Sequence, residues 1–205
     1  MTYLISTLIF AVVGTAQLNI FEIEGIFSNA HINALEGHIE EYEYTDDDLL
    51  ILQYSSQEGS AESIAELNSL LSGYDFPIGV WFGPYKISID FKQLNNFDYI
   101  GFSPGLEINN VSFDESVEKK YCTINICNFE ERKIIVSTNE GIYDNYLIVG
   151  TLGSFIENID FVISDQSIEF FKPSLFERFY IAISNPIFTY MFFVLGFALI
   201  GLELF

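Results

Sequence analysis

The stretch "WFGPYKISIDF" (81–91) places a hydroxyl, Ser88, just beyond a strand-like run that breaks at Gly83-Pro84. At the mouth of a helix such a serine is a nucleophile only if a neighbouring base takes its proton; otherwise it is a structural residue or a helix cap. Few other residues could do chemistry. His31 and His38 share one helical segment and lie two turns, about 10.5 Å, apart, too far to hold one metal ion, so they read as solvent-facing or capping. Cys122 and Cys127 lie in "YCTINIC"; on a strand, their odd separation of five sends the side chains to opposite faces. They therefore read as small buried hydrophobes, and a bridge between them requires an intervening turn. The run Thr45-Asp46-Asp47-Asp48 lacks the alternating ligands of a calcium loop. The sequence contains no Cys/His metal cluster, phosphate loop or dinucleotide fingerprint, so no cofactor is expected.

Composition narrows the partners. The 205 residues fit one domain, and 29 acidic against 8 basic residues give a formal net charge of −21. That charge repels a phosphate backbone and excludes nucleic-acid binding. Anionic lipid headgroups do not attract it either. The acidity reads as a solvated surface.

The elements that would position Ser88 alternate between strand and helix. "LNIFEIEG" (18–25) reads as a strand, and 29–44 carries helical spacing in Ile32, Leu35, Ile39 and Tyr42. "LLILQY" (49–54) is a continuous apolar strand of the kind buried on both faces. A helix follows with Ser60 as its cap and Gly73 as its stop signal. "FPIGVWFG" is a third strand, a short helix is expected over 87–96, and "DYIGFSPG" is a fourth strand. "CTINIC", "RKIIVST" and "YLIVG" read as further strands, and "TLGSFIENI" as a helical turn. This order predicts an α/β fold, a parallel sheet with flanking helices. Ligands in such folds sit beyond the carboxyl ends of the strands, where 55–60 and 83–90 fall.

Both ends are apolar. Residues 1–16 read as a signal peptide with a cut after Ala16, although no basic residue precedes the apolar core; a retained anchor or a first core strand are the rivals. Residues 179–205 read as a transmembrane helix, because no charge occurs from Phe179 to Leu202 and 24 residues can span a bilayer. Lys172 and Arg178 before the span argue for a cytoplasmic domain, whereas the signal peptide argues for an extracytoplasmic one; the latter is preferred. The chain stops at Phe205 without a basic tail, which reads as a truncated sequence.

The collinear set of "NIFEIEGIFSNAHINALEGHIEEYEYTDDDLLILQYSSQEGS", "FPIGVWFGP", "DYIGFSPGLEI", "LIVGTLGSFIENID" and the C-terminal apolar run resembles the NfeD (nodulation-efficiency) family. These are membrane-anchored relatives of the Clp protease within the Clp/crotonase superfamily. The resemblance implies a Clp/crotonase-like domain over 17–170, a juxtamembrane linker over 171–178 and the membrane helix. It also implies a homo-oligomer and a stomatin-type (prohibitin-homology) membrane partner.

In active members of that family a serine beyond the third strand attacks a peptide carbonyl, a lysine acts as base, and a Gly-Gly turn holds the oxyanion. By this resemblance Ser88 is the nucleophile position, counted back from Asp98, and "SQEGS" (56–60) is the oxyanion turn, of whose glycines only Gly59 is kept. Counting forward from Gly83-Pro84 instead puts the nucleophile slot near Phe91. Glu58 and Asp90 bring negative charge to a site where an oxyanion would form. Lys119, Lys120 and Lys133 follow Ser88 by 31, 32 and 45 residues, and none stands at the family's spacing. A lysine also needs burial to lower its pKa before it can act as a base. The expectation is a catalytically degenerate serine-protease homologue that scaffolds other membrane proteins, with an active Ser/Lys protease as the alternative.

Overall fold

The computed structural model describes residues 17–203 apart from 60, 85, 90–93, 95, 162–167, 172 and 185. The expected signal peptide and the Ser60 cap lie outside the described residues.

Strand β1 (Leu18–Phe27) leads into helix α1 (Asn29–Tyr42), which stops where Glu43 adopts a left-handed conformation at φ 54°. Strand β2 (Leu49–Gly59), helix α2 (Ala61–Leu71) and strand β3 (Ile78–Phe82) repeat the unit. Then come β4 (Ile87–Ser88), β5 (Tyr99–Phe102) and β6 (Glu107–Asn109). A short helix α3 (Glu115–Val117) runs into a single π-helical turn (Glu118–Cys122). Strands β7 (Ile126–Asn128), β8 (Lys133–Ile135), β9 (Gly141–Tyr143) and β10 (Tyr146–Ile148) precede helix α4 (Leu152–Asn158). Strand β11 (Ile168–Phe171) and helices α5 (Leu175–Ser184) and α6 (Pro186–Glu203) close the chain.

The main sheet has the order β11-β1-β2-β3-β5-β10-β9 and is parallel except for the β9–β10 hairpin. One face, carrying Ile23, Leu50, Leu52 and Val80, packs under α1 and α2 through residues such as Leu35 and Leu67. The opposite face, with Leu18, Ile20, Ile51 and Trp81, is covered by Phe155 of α4. The expected α/β architecture is present.

Three expectations fail, each for a readable reason. Residues 87–88 form a strand rather than the start of a helix, because Ile87 and Ile89 are buried on either side of half-buried Ser88, the two-residue period of a pleat. "CTINIC" is not one strand: Asp114 caps α3 by accepting from the backbone N–H groups of Ser116 and Val117, and Cys122 closes the π turn that follows, so that only the end of the segment, from Ile126, enters β7. The chain thus turns between the two cysteines, and Cys122 and Cys127 form a disulfide. Finally, the apolar C-terminal run is divided between α5 and α6, with Pro186, which cannot donate to a preceding turn, opening the second helix. No single described helix is long and apolar enough to cross a membrane; α5 and α6 pass that test together, bent by 74°.

Gly101 shows how tightly α4 sits on the sheet. A Cβ there would lie 2.5 Å from Phe155 Cδ2 and 2.8 Å from Trp81 Cδ1. Both rings are buried, so neither can swing aside. Gly101→Ala is expected to lower stability by about 1–3 kcal/mol through overpacking, read as a shift of the urea midpoint with an unchanged slope. An unshifted midpoint would mean that α4 does not bear on the sheet here.

Candidate functional site

Beyond the carboxyl ends of β1, β2 and β3 the chain builds a second, smaller sheet in the order β4-β6-β8-β7. Strand β4 lies against β2 and pairs in parallel with β6, and β8 is antiparallel to both β6 and β7. Ile87, Ile108 and Ile134, at 1%, 0% and 0% exposure, occupy the inner face of adjacent strands and join the main core. Their neighbours in sequence therefore point outward. Ser88 is on that outer face, paired across the ladder with Asn109 and half-buried. Its Oγ accepts a 2.6 Å hydrogen bond from Asn110 Nδ2, presented by a residue in the left-handed region at φ 59°.

The same outer face carries an ion cluster. Glu107 on β6 is bridged by Lys86 Nζ at 2.5 Å and by Lys133 Nζ of β8 at 3.0 Å. The two ammonium groups, Lys86 foremost, hold the Glu107 carboxyl below its ordinary value. Lys133 is thus a partner in an ion pair, two strands away from Ser88 across β6, or about 10 Å at ordinary strand spacing. Lys120 is the lysine whose ammonium burial pushes down, and it stands on the π turn over the Tyr121 ring, 5.1 Å from the centroid. No lysine is recorded as a hydrogen-bond partner of Ser88 among the described residues.

The segment expected to form an oxyanion turn continues β2. Ile26 pairs with Glu58 and Phe27 with Gly59, after a register shift at Gly25/Ile26. Gly25, at φ +77°, is what lets the backbone of β1 take up that shift. Ser56, fully buried, locks it: its Oγ accepts from Phe27 N at 3.0 Å and donates to the Gly25 carbonyl at 2.6 Å. Asp90, the other charge expected near the site, lies outside the described residues.

Residues set aside in the sequence have structural posts. His31 is buried rather than solvent-facing, with Nε2 3.0 Å from the Glu24 carbonyl and Nδ1 3.4 Å from Ser28 Oγ. His38 hydrogen-bonds the Tyr44 hydroxyl at 3.0 Å and packs on Phe171. Asp48 closes its own turn, accepting from Thr45 N and Thr45 Oγ1 with one oxygen and from Gln17 N with the other. Among the described residues no group of three His, Cys, Asp or Glu side chains could hold a metal ion. A cleft of about 520 Å³ lies on the β1 side of the sheet, between Glu22, Glu24 and His31 on one wall and Arg178, Ile181 and Ala182 of α5 on the other.

Burial lowers the His31 pKa, and the bonds to Glu24 and Ser28 offset this only in part. The folded state therefore resists protonating His31, while the unfolded chain takes up the proton near the ordinary value of 6.5. Stability is complete above 6.5 and declines as pH falls through that value toward the lower folded one. His31→Gln is expected to shrink the loss of thermal midpoint between neutral and mildly acidic buffer. His38, lowered in the same direction, leaves a remainder. An unchanged pH profile in the variant would show that His31 is not the group responsible.

No protein-family model and no curated protein sequence matches the chain. Solved structures do. The 1510-N membrane protease from Pyrococcus horikoshii, specific for a stomatin homologue, is similar with a TM-score of 0.59 and 11% identity, covering 84% of this chain and 100% of that one. A lysine-to-alanine mutant of the membrane-bound stomatin-specific protease 1510-N, in complex with a substrate peptide, gives 0.56 and 8%, over 83% and 99%. A serine-to-alanine mutant gives 0.51 and 9%, over 79% and 100%. At these identities the likeness is one of fold: the chain shares the mixed α/β fold of these proteases, with a parallel-rich sheet and flanking helices.

Proposed function

We propose that this chain is a membrane-anchored, catalytically degenerate homologue of the Clp-class serine proteases that acts as a scaffold for a stomatin-type membrane protein. The observation that carries the reading is the state of Ser88. It sits on the outer face of the small sheet and takes a hydrogen bond from Asn110, and the described lysines of that face, Lys86 and Lys133, are both tied to Glu107. A serine hydroxyl that accepts from an amide and has no neutral base beside it is not activated. The segment 56–59, laid into the β1 ladder, and the charge of Glu58 point the same way. The stomatin-type partner is taken from the relatives in fold, which are proteases specific for a stomatin homologue. The anchor is the C-terminal pair, with α6 entering the bilayer and α5 joined to it, and residues 1–16 act as an export signal. A disulfide between Cys122 and Cys127 is in keeping with an extracytoplasmic domain, since such bonds persist in oxidising compartments.

A fluorophosphonate probe is expected to leave the Ser88 peptide of the purified full chain unmodified, and Ser88→Ala to leave any peptidase activity unchanged. Each missing oxyanion donor alone slows acyl transfer by about 10²–10³. Probe adduct mapped by mass spectrometry to Ser88 would sink the scaffold reading and establish the active-protease alternative.

Topology has its own test. Both native cysteines are in the disulfide, so a thiol introduced at exposed Ser69 on α2 reports alone. Ser69→Cys is expected to react with an impermeant maleimide on intact cells. Reaction only after lysis would reverse the orientation and restore the cytoplasmic reading of Lys172 and Arg178.

A further inference from the structure

Helix α5 is built inside out. Successive helical residues turn by about 100°, so Leu175, Phe176, Phe179 and Tyr180 share one arc with Ile183. The first four of these are 84%, 81%, 60% and 69% exposed. The opposite arc, with Glu177, Ile181 and Ala182, is the half-buried side, and α5 packs on α1. The helix thus turns Glu177 inward and its rings outward. The edge strand just before it repeats the pattern, with Ile168 and Phe170 at 48% and 61% exposure. An open edge strand and a helix face of this composition must be covered.

We propose that α5 lies flat in the interfacial layer of a lipid bilayer, its aromatic face sunk among the acyl chains and its inner face bearing the domain. This rests on the reading of α6 as the membrane anchor. The occupant follows from continuity: α5 leads directly into α6, whose residues from Pro186 to Leu202 carry no charge. The two helices meet at 74°, so an α6 that runs along the bilayer normal leaves α5 within a shallow angle of the surface. Phe and Tyr on one face with a polar side opposite is the pattern of a helix lying in the interface. The domain is then held edge-on: the β11–β1 edge faces the lipid, and the cleft lined by Arg178 and Glu24 opens close to the headgroups. The attraction is apolar, because a chain of net charge −21 gains nothing from anionic headgroups.

The test places single thiols in the full chain reconstituted in phosphatidylcholine vesicles and reads an environment-sensitive fluorophore at each. Phe176→Cys and Phe179→Cys stand on the outer face of α5, Leu195→Cys within α6, and Glu66→Cys on exposed α2. Quenching by lipid-borne spin labels is expected to be several-fold stronger at 176, 179 and 195 than at 66, and quenching by aqueous iodide to run in the reverse order. Lipid quenching at 195 with iodide quenching at 176 and 179 would overturn the docking of α5 while leaving the anchor in place. Iodide quenching at all four positions would remove the anchor and the docking with it. Protection of 176 from both quenchers, with thiol cross-links between copies, would make the face a protein interface and overturn the proposal.

Discussion

Leu49, Leu50, Ile51 and Leu52 are each completely buried, and that one constraint organises the molecule. Alternate side chains of a strand point to opposite faces, so four such residues in a row require a separate apolar layer on each side. The backbone of β2, removed from water, also needs a partner along both edges. β1 supplies one in the register Leu18↔Leu49, and β3 supplies the other from Leu50↔Ile78. Both neighbours are parallel, so the chain must cross over between them, and α1 and α2 are those crossovers. The carboxyl ends of β1, β2 and β3 are thereby brought to one end of the sheet. On the other face, Trp81 packs beside Phe155 and sends its indole N–H toward the Val149 carbonyl, so α4 and the end of β10 are tied to the same centre.

The first hundred residues were largely legible because their elements are long enough to show a period. β1, α1, β2, α2, β3 and β5 all occur where alternation, helical spacing or an unbroken apolar run placed them. β4, β6 and the start of β7 were not legible, because these strands are two or three residues long and a period cannot be read in so few. The error over the cysteines came from extending a strand back through Cys122. A signal was present: Asp114 followed by Glu-Ser-Val-Glu is a helix start, and a helical turn there removes the face-parity argument that separated the two thiols. Asn125 then secures the turn, accepting from Ser137 N–H and donating to the Tyr121 carbonyl.

At the C-terminal end composition was readable and geometry was not. The absence of charge from Phe179 to Leu202 does not reveal that the run divides around residue 185 or that its first part turns its rings away from the domain. That arrangement depends on what α5 packs against. Its inner side is occupied by α1 and by the wall of the β1 cleft, which Arg178 helps to form, and Arg178 Nε donates to the Pro173 carbonyl. With Glu177, Ile181 and Ala182 half-buried on the inner side, the rings have only the outer side left. Water is a poor solvent for such a face: fully burying one Phe or Leu side chain contributes about 1.5–3 kcal/mol.

For the candidate site the sequence offers Ser88 as a position and says nothing of its environment. Ser88 could be located from its surroundings in sequence, but its hydrogen bond from Asn110 and the tie between Lys133 and Glu107 join residues far apart in the chain. These contacts decide what the serine can do. Replacing Glu107 would release Lys133, yet the lysine would remain on β8, two strands away from Ser88 across β6. The inner face cannot take it, because Ile87, Ile108 and Ile134 already fill that side to complete burial or close to it. The oxyanion side is constrained as well. Freeing 57–59 from the ladder would undo the bulge that Ser56 holds between the Gly25 carbonyl and the Phe27 N–H. On the proposed reading, the loss of a Ser/Lys mechanism follows from how two strands are laid down and from which face of a sheet carries the serine. A binding role, by contrast, asks only that the parallel sheet and its edges persist.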